Sequence, residues 1–354
     1  MDDLSKKLTN YIKPLILNVM RYMIYGAGSL GTVLGAFITK AGTDIDLVNR
    51  NQAHVDALNT KGALVLGGIN LSQKVHAMTP DQLKGEYDIV YLLTKQQQNI
   101  EAAKIIKPHL KEDGILVTLQ NGIPEGPLED IFGKGKVMGC TVEWGATLKA
   151  PGICQFTSDP SPEKLSFQTG KPSEMDEEKF REAVRVLCLM GPVHIRENFS
   201  GVRWSKLLVN ATFAGIGTVM GGTFGDVANT RKAQKVASLC VKECIDTAHA
   251  AGIEFTDVQG INISKLFYFT NPLKKRFVEF LLPFVMKKNG NIEPSMLQDL
   301  KKGKHCEVDF INGEVCRWGR KYGVPTPVND KIVEIIKKEE TGSLPISADN
   351  LDLF

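Results

Sequence analysis

The chain has 354 residues, 43% of them hydrophobic and 23% charged, the balance of an ordinary globular protein long enough for two domains. A net charge of +3 supplies no field that demands nucleic acid or an anionic membrane as partner. Seven scattered cysteines without a C-x-x-C pair and six scattered histidines form no zinc-type constellation, so no metal is expected, and they read as reduced, packed thiols of a cytoplasmic protein.

Residues 1–19 read as an N-terminal extension. The opening Met1-Asp2-Asp3 carries acids and no apolar signal core follows, whereas Met20-Arg21-Tyr22 suits the start of a first strand. No segment reaches the roughly 20 apolar residues of a membrane span; the longest, Val278 to Met286, is broken by Glu279 and Pro283.

From Met20 to about Cys154, short β-rich runs alternate with helical ones. Strands are expected at Arg21–Tyr25, Asp44–Val48, Ile89–Leu93, Ile115–Leu119 and Lys136–Thr141, with extra strands at Cys154–Thr157 and Lys164–Gln168. Leu30, Val33, Leu34, Phe37 and Ile38 share one helix face. The alternation predicts an α/β fold, a doubly wound Rossmann sheet over residues 20–196.

The first loop, Gly26-Ala27-Gly28-Ser29-Leu30-Gly31, has the G-x-G-x-x-G spacing between a strand-like and a helix-like run, the context in which it marks a dinucleotide site. Gly26 allows the turn, Gly28 lets backbone approach a pyrophosphate, Gly31 lets helix and strand pack, and the helix start at Ser29 and Leu30 offers free N–H groups. The second strand ends Leu47-Val48-Asn49-Arg50. Where an NAD site carries an acid for the ribose 2′-OH, Arg50 stands, a guanidinium able to fork onto a 2′-phosphate; a solvated arginine is the plain alternative. The next strand ends in Thr94-Lys95, a second cation expected to converge with Arg50, and the pair implies NADPH.

The strand Ile115–Leu119 leads into Gln120-Asn121-Gly122, which places Asn121 at the carboxyl edge of the sheet, although Asn-Gly is often a plain turn. After Pro192 helical periodicity takes over, which predicts an all-α domain over 197–340 followed by a loose polar tail, 341–354. Within it Lys206 and Asn210 stand one helical turn apart among apolar residues. A desolvated lysine has a lowered pKa and can protonate a carbonyl oxygen; a lysine with its head in water is the other reading. Glu307, four residues before Ile311, is expected to start a helix.

Taken in order, the glycine turn, Arg50, Thr94-Lys95, Leu119-Gln120-Asn121-Gly122, Lys206 with Asn210, Ser295-Met296-Leu297-Gln298-Asp299 and Glu307-Val308-Asp309 with Ile311-Asn312-Gly313 resemble the ketopantoate reductases from Met20 to Ile335. The resemblance implies NADPH-dependent reduction of a 2-oxo acid, 2-dehydropantoate to pantoate in pantothenate biosynthesis. It implies Lys206 as general acid and Glu307 as the residue orienting substrate and lysine. Asn210 and Ser295 would be substrate contacts, Asn121 a contact of substrate and nicotinamide, and Arg50, Lys95 and Gln98 cofactor contacts. Two positions depart from the family pattern. Ala214-Gly215 replaces an Asn-Pro pair, and Phe224 replaces an Asn before Gly225-Asp226. A stretch that often contains histidine reads Val142-Glu143-Trp144-Gly145-Ala146. These changes leave open a reductase of a bulkier, more apolar 2-oxo acid; an NADPH-binding sensor without turnover is the alternative of another class. A homodimer is compatible with the sequence.

Overall fold

The first glycine turn sits where two halves of a parallel sheet diverge, and the fold follows from that point. The structure, a computed structural model, describes residues 20–257 and 262–354; the extension 1–19 lies outside them. Twelve strands occur among the described residues: β1 (Tyr22–Tyr25), β2 (Asp46–Val48), β3 (Ala63–Leu66), β4 (Leu71–Gln73), β5 (His76–Met78), β6 (Tyr87–Leu92), β7 (Leu110–Thr118), β8 (Val137–Val142), β9 (Ala146–Ala150), β10 (Ile153–Phe156), β11 (Phe167–Thr169) and β12 (Val193–Ile195). The main sheet has the order β12-β11-β8-β7-β6-β1-β2-β5. From β5 to β8 neighbours are parallel, and β11 joins β8 antiparallel. The strands β1, β6 and β8 are buried along their whole length and β7 from Gly114 to Thr118, as expected of parallel strands covered on both faces.

The order reverses between β1 and β6, so the loops after these two strands open a crevice at the carboxyl edge, where ligands of open α/β sheets bind. A second sheet, β4-β3-β10-β9, packs on the glycine-turn helix Ser29–Lys40. Of its strands only β10 was foreseen, and β5 and β12 of the main sheet were also missed. These runs are three to five residues long, too short for alternation to mark them.

Buried apolar residues fall into separate clusters. Two flank the main sheet and draw on residues from Tyr22 to Met190; the third runs from Trp204 to Leu351 and is almost entirely helical. Among the described residues no helix is long and apolar enough to cross a membrane. The end of the chain is not loose, contrary to the sequence reading. A 3₁₀ turn covers Ala348–Leu353, Leu351 is buried in the helical core, and the buried Asn350 side chain donates to the Glu339 carboxylate at 2.9 Å and the Pro345 carbonyl at 2.9 Å.

Candidate active site

The three loop glycines do different work. A Cβ on Gly26 would meet Thr94 N at 2.6 Å, and its φ of +99° suits glycine alone. A Cβ on Gly31 would meet Gly26 O at 2.7 Å. At Gly28 the nearest atom would be Gly26 O at 4.0 Å, so this backbone faces open space. The helix Ser29–Lys40 that follows has neither a side-chain cap nor an acid in its first turn, leaving its N–H groups for an anion.

Two cavities meet at this turn, both lined by Gly26, Gly28, Leu93 and Thr94. The smaller, about 360 Å³, is bordered by Asn49, Arg50 and Gln98. Asn49 is committed to the loop: its amide donates to Ala27 O at 2.8 Å and its oxygen accepts from Asn51 N at 2.9 Å. Arg50 is exposed and has no ion pair among the described residues. The one acid of β2, Asp46, lies at its far end and binds Tyr87, at 2.6 Å, and His76, at 2.7 Å. No carboxylate therefore waits at the end of β2 for a ribose hydroxyl. The open cradle at Gly28, the uncapped helix and the unpaired guanidinium together fit a dinucleotide with a further phosphate.

Lys95 corrects the sequence reading. It lines the larger cavity rather than the smaller one, and its ammonium is paired with Asp299 of the helical part. The expected convergence of Arg50 and Lys95 is absent.

The larger cavity, about 640 Å³, brings Asn121, Lys206, Ser295 and Glu307 together with Ser29 and Leu30. Lys206 comes from the helix Phe199–Val209 and its Nζ donates to the Val142 carbonyl at 2.8 Å, at the end of β8. Burial pushes its pKa down to about 8; the Arg203 charge pushes the same way, and Glu143 opposes it. Glu307 accepts from Gln96 N at 3.1 Å, and burial raises its pKa despite that bond and the nearby Lys95 charge. It precedes a 3₁₀ turn, Val308–Phe310, and the helix proper starts only at Asn312. Asn121 holds the turn by its carbonyl, which accepts from the Gln96 amide. Gly122, at φ +77°, lies so close to Phe310 that a Cβ would stand 2.5 Å from its carbonyl oxygen.

Asn210 is not in the cavity wall. Its backbone N–H still bonds Lys206 O, so the two stand one α-helical turn apart as expected, but only Lys206 reaches the cavity, and a π turn, Asn210–Ala214, starts there. Ala214 and Phe224 are also outside the wall and are buried in the helical core, Phe224 against Phe213. The altered stretch does reach the cavity: its Val142 and Trp144, with Leu148 two residues beyond it, give an apolar side, and Trp144 is stacked on Phe156.

Arg203 escaped the sequence reading. It is 2% exposed and bridges the two parts, donating to Gln120 O at 2.7 Å and to Glu125 Oε1 at 2.6 Å. Its place one residue before Trp204, in an apolar run, was the available signal: an arginine there must be paired.

Residues 22–168 match the family described as ketopantoate reductase PanE/ApbA, and residues 198–340 match its C-terminal part. The 2-dehydropantoate 2-reductase of Pyrococcus abyssi is 30% identical over 325 residues, covering 91% of this chain and 98% of that protein. The PanE/ApbA family ketopantoate reductase of Ralstonia eutropha JMP134 superposes with a TM-score of 0.76 at 22% identity, covering 91% and 99% of the two chains. A ternary structure of D-mandelate dehydrogenase with NADH and anilino(oxo)acetate superposes equally well, with a TM-score of 0.76 at 23% identity and the same coverage.

Proposed function

The chain belongs to the ketopantoate reductase family, an oxidoreductase family, and from that premise we propose that it reduces a 2-oxo acid with NADPH, 2-dehydropantoate to pantoate being the leading reaction. The observation that carries this is Lys206: a lysine with its pKa near 8, held by a backbone carbonyl in the same cavity wall as Glu307 and the glycine turn. NADPH would lie along the glycine turn with Arg50 and Gln98 at one end, and it supplies the hydride.

The rest is done by the chain's own groups. Among the described residues Lys206 Nζ makes one hydrogen bond, to Val142 O, which leaves two N–H bonds for a carbonyl oxygen in the cavity. As negative charge develops on that oxygen, the ammonium delivers a proton, a step worth roughly 10²- to 10⁴-fold in rate. Glu307, fixed by Gln96 N, orients the substrate. Asn121 and Ser295 supply polar contacts, and Lys302 and Lys304 in the same wall favour a carboxylate. The Lys95–Asp299 pair joins the two sides of the cleft.

The apolar side made by Val142, Trp144 and Leu148 favours a second reading, a reductase for a bulkier 2-oxo acid. Following NADPH oxidation with 2-dehydropantoate and with branched and aromatic 2-oxo acids separates the two. Preference for 2-dehydropantoate supports the first reading and preference for a larger acid the second. Tight NADPH binding without turnover of any acid would contradict both and favour the sensor.

A further inference from the structure

Arg203 and Lys206 stand three residues apart on the helix Phe199–Val209, so they leave it on one face. Each is fixed to a different strand end. Lys206 reaches the carbonyl of Val142, the last residue of β8. Arg203 reaches the end of β7 and the turn beyond it: Nη1 donates to Gln120 O at 2.7 Å, Nη2 to Thr118 O at 3.4 Å and Nε to Glu125 Oε1 at 2.6 Å. Three acceptors around a planar guanidinium fix its orientation as they could not fix an ammonium. The strand leaves room for this arrangement, since a Cβ on Gly139 of β8 would collide with the Glu125 carboxylate and the Phe199 ring.

The carbonyl that Arg203 grips belongs to a buried hub. The Gln120 side-chain amide donates to Thr94 O at 2.8 Å and to Asn99 Oδ1 at 2.6 Å, and its oxygen accepts from Thr118 Oγ1 at 3.1 Å. Gln120 thus ties the ends of β6 and β7 together. Thr94 backs the glycine turn at Gly26, and Asn121 follows Gln120 in the chain. An unbroken run of contacts, Arg203–Gln120–Thr94–Gly26, leads from the lysine helix to the floor on which a dinucleotide would lie.

We propose that Arg203 is a positioning residue, which sets the reach of Lys206 over the cofactor by locking the lysine helix to the Gln120–Thr94 floor of the crevice. The proposal rests on Lys206 being the proton donor. A reacting group displaced by about 1 Å can lose on the order of 10²-fold in rate. The same placement has an electrostatic consequence, because a cation one turn away disfavours the protonated lysine. Around Lys206 stand Arg203 on its own helix, Cys140 and Glu143 on and just after β8, Glu125 beyond Arg203, and Glu307 in the cavity wall. Of these only Arg203 is a cation.

The test separates reach from charge, with rates taken per NADPH-binding site so that unfolded protein does not count. Arg203→Lys keeps the cation and gives up the fork; kcat is expected to fall roughly 10- to 100-fold with NADPH affinity within about twofold of wild type. Arg203→Gln removes the cation as well, and the falling limb of its kcat–pH profile is expected at higher pH. Glu125→Gln keeps Arg203 and its backbone bonds but leaves the guanidinium charge less offset, so its limb is expected at lower pH. Without cofactor, the Lys206 signal of ε-¹³C-lysine-labelled protein, assigned with Lys206→Ala, should titrate with the same shifts. A merely structural role would lower the thermal midpoint and leave these titrations in place. An Arg203→Lys kcat at the wild-type level overturns the proposal. So does a Lys206 titration that Arg203→Gln leaves unmoved or, where the Arg203 variants do not fold, one that Glu125→Gln leaves unmoved. Turnover retained in Lys206→Ala would overturn the donor reading itself, and the proposal with it.

Discussion

At the residue scale the proposed chemistry turns on Lys206, whose surroundings set how it responds to pH. Burial and the Arg203 charge hold its pKa down near 8, while Glu143 pulls it up. With the protonated lysine as the proposed proton donor, the reduction rate is expected to be level below pH 8 and to fall above it. Removing an acid that favours the charged form lowers the lysine's pKa further. Glu143→Gln should therefore move the falling limb to lower pH in a kcat–pH profile; a shift upward would contradict the assignment. Glu143 suits this test because it is exposed and binds Ser166 and Gln168. Arg50 is the residue proposed to select the cofactor. If its guanidinium holds a 2′-phosphate, Arg50→Ala loses a charge-assisted contact worth roughly 1.5–3 kcal/mol. NADPH should then bind about ten- to hundredfold more weakly and NADH nearly as before, as read by fluorescence titration. Arg50 was legible because it stands at the end of a strand that the sequence marks, Lys206 because it sits in an apolar helical run, and Glu307 through the order of the motifs. The pairing of Lys95 with Asp299 was not, since it joins residues 204 positions apart.

Among the elements, the helix carrying Lys206 is the least ordinary. Its π turn releases carbonyls from α-helical bonding, and one of them, Ala211 O, is taken up by the Asn312 amide at 2.9 Å. The same amide donates to Asn329 Oδ1 at 2.9 Å, and Asn329 donates to the buried Glu243 at 2.8 Å. Gly215 follows the turn, and a Cβ there would stand 2.7 Å from Asn312 Oδ1. The Ala214-Gly215 departure from the family pattern thus belongs to packing around Asn312. Asn312→Leu strands two buried acceptors, each worth roughly 1–3 kcal/mol. The thermal midpoint should drop by about 2–4 °C per kcal/mol, and an unchanged midpoint would show that the network does not hold the turn. Sequence periodicity found the helix but not the π turn, because one extra residue per turn leaves the apolar pattern nearly intact. It found the long parallel strands for the opposite reason: their continuous apolar runs are flanked by clear turns.

At the scale of the whole molecule, the two parts meet through a few polar bridges: Arg203 to Gln120 and Glu125, Gln96 to Glu307, and Lys95 to Asp299. The composition change after Pro192 foretold two parts. The bridges stayed hidden because they are tertiary pairings of residue types that are ordinary on a surface. The chain end was misread for a similar reason: polar composition conceals Leu351 and Asn350, which fasten it to the helical core. Its anchor, Glu339, is pushed up to about 8 by burial from an ordinary value of 4.5. Between those values the folded protein holds a proton that the unfolded chain has lost, so this group makes stability decline as pH rises from about 4.5 to 8. Glu339→Gln should remove that part of the decline in denaturant melts across the range; a slope identical to wild type would contradict the burial of this carboxyl.

The central claim is that Lys206 protonates a substrate oxygen beside a cofactor held elsewhere along the groove. Its most direct measurement is Lys206→Ala, assayed for NADPH oxidation with the best 2-oxo acid and, separately, for NADPH affinity. Turnover reduced by roughly 10²- to 10⁴-fold with NADPH affinity within about twofold of wild type is the predicted result. Turnover retained, or NADPH binding lost along with it, would contradict the account.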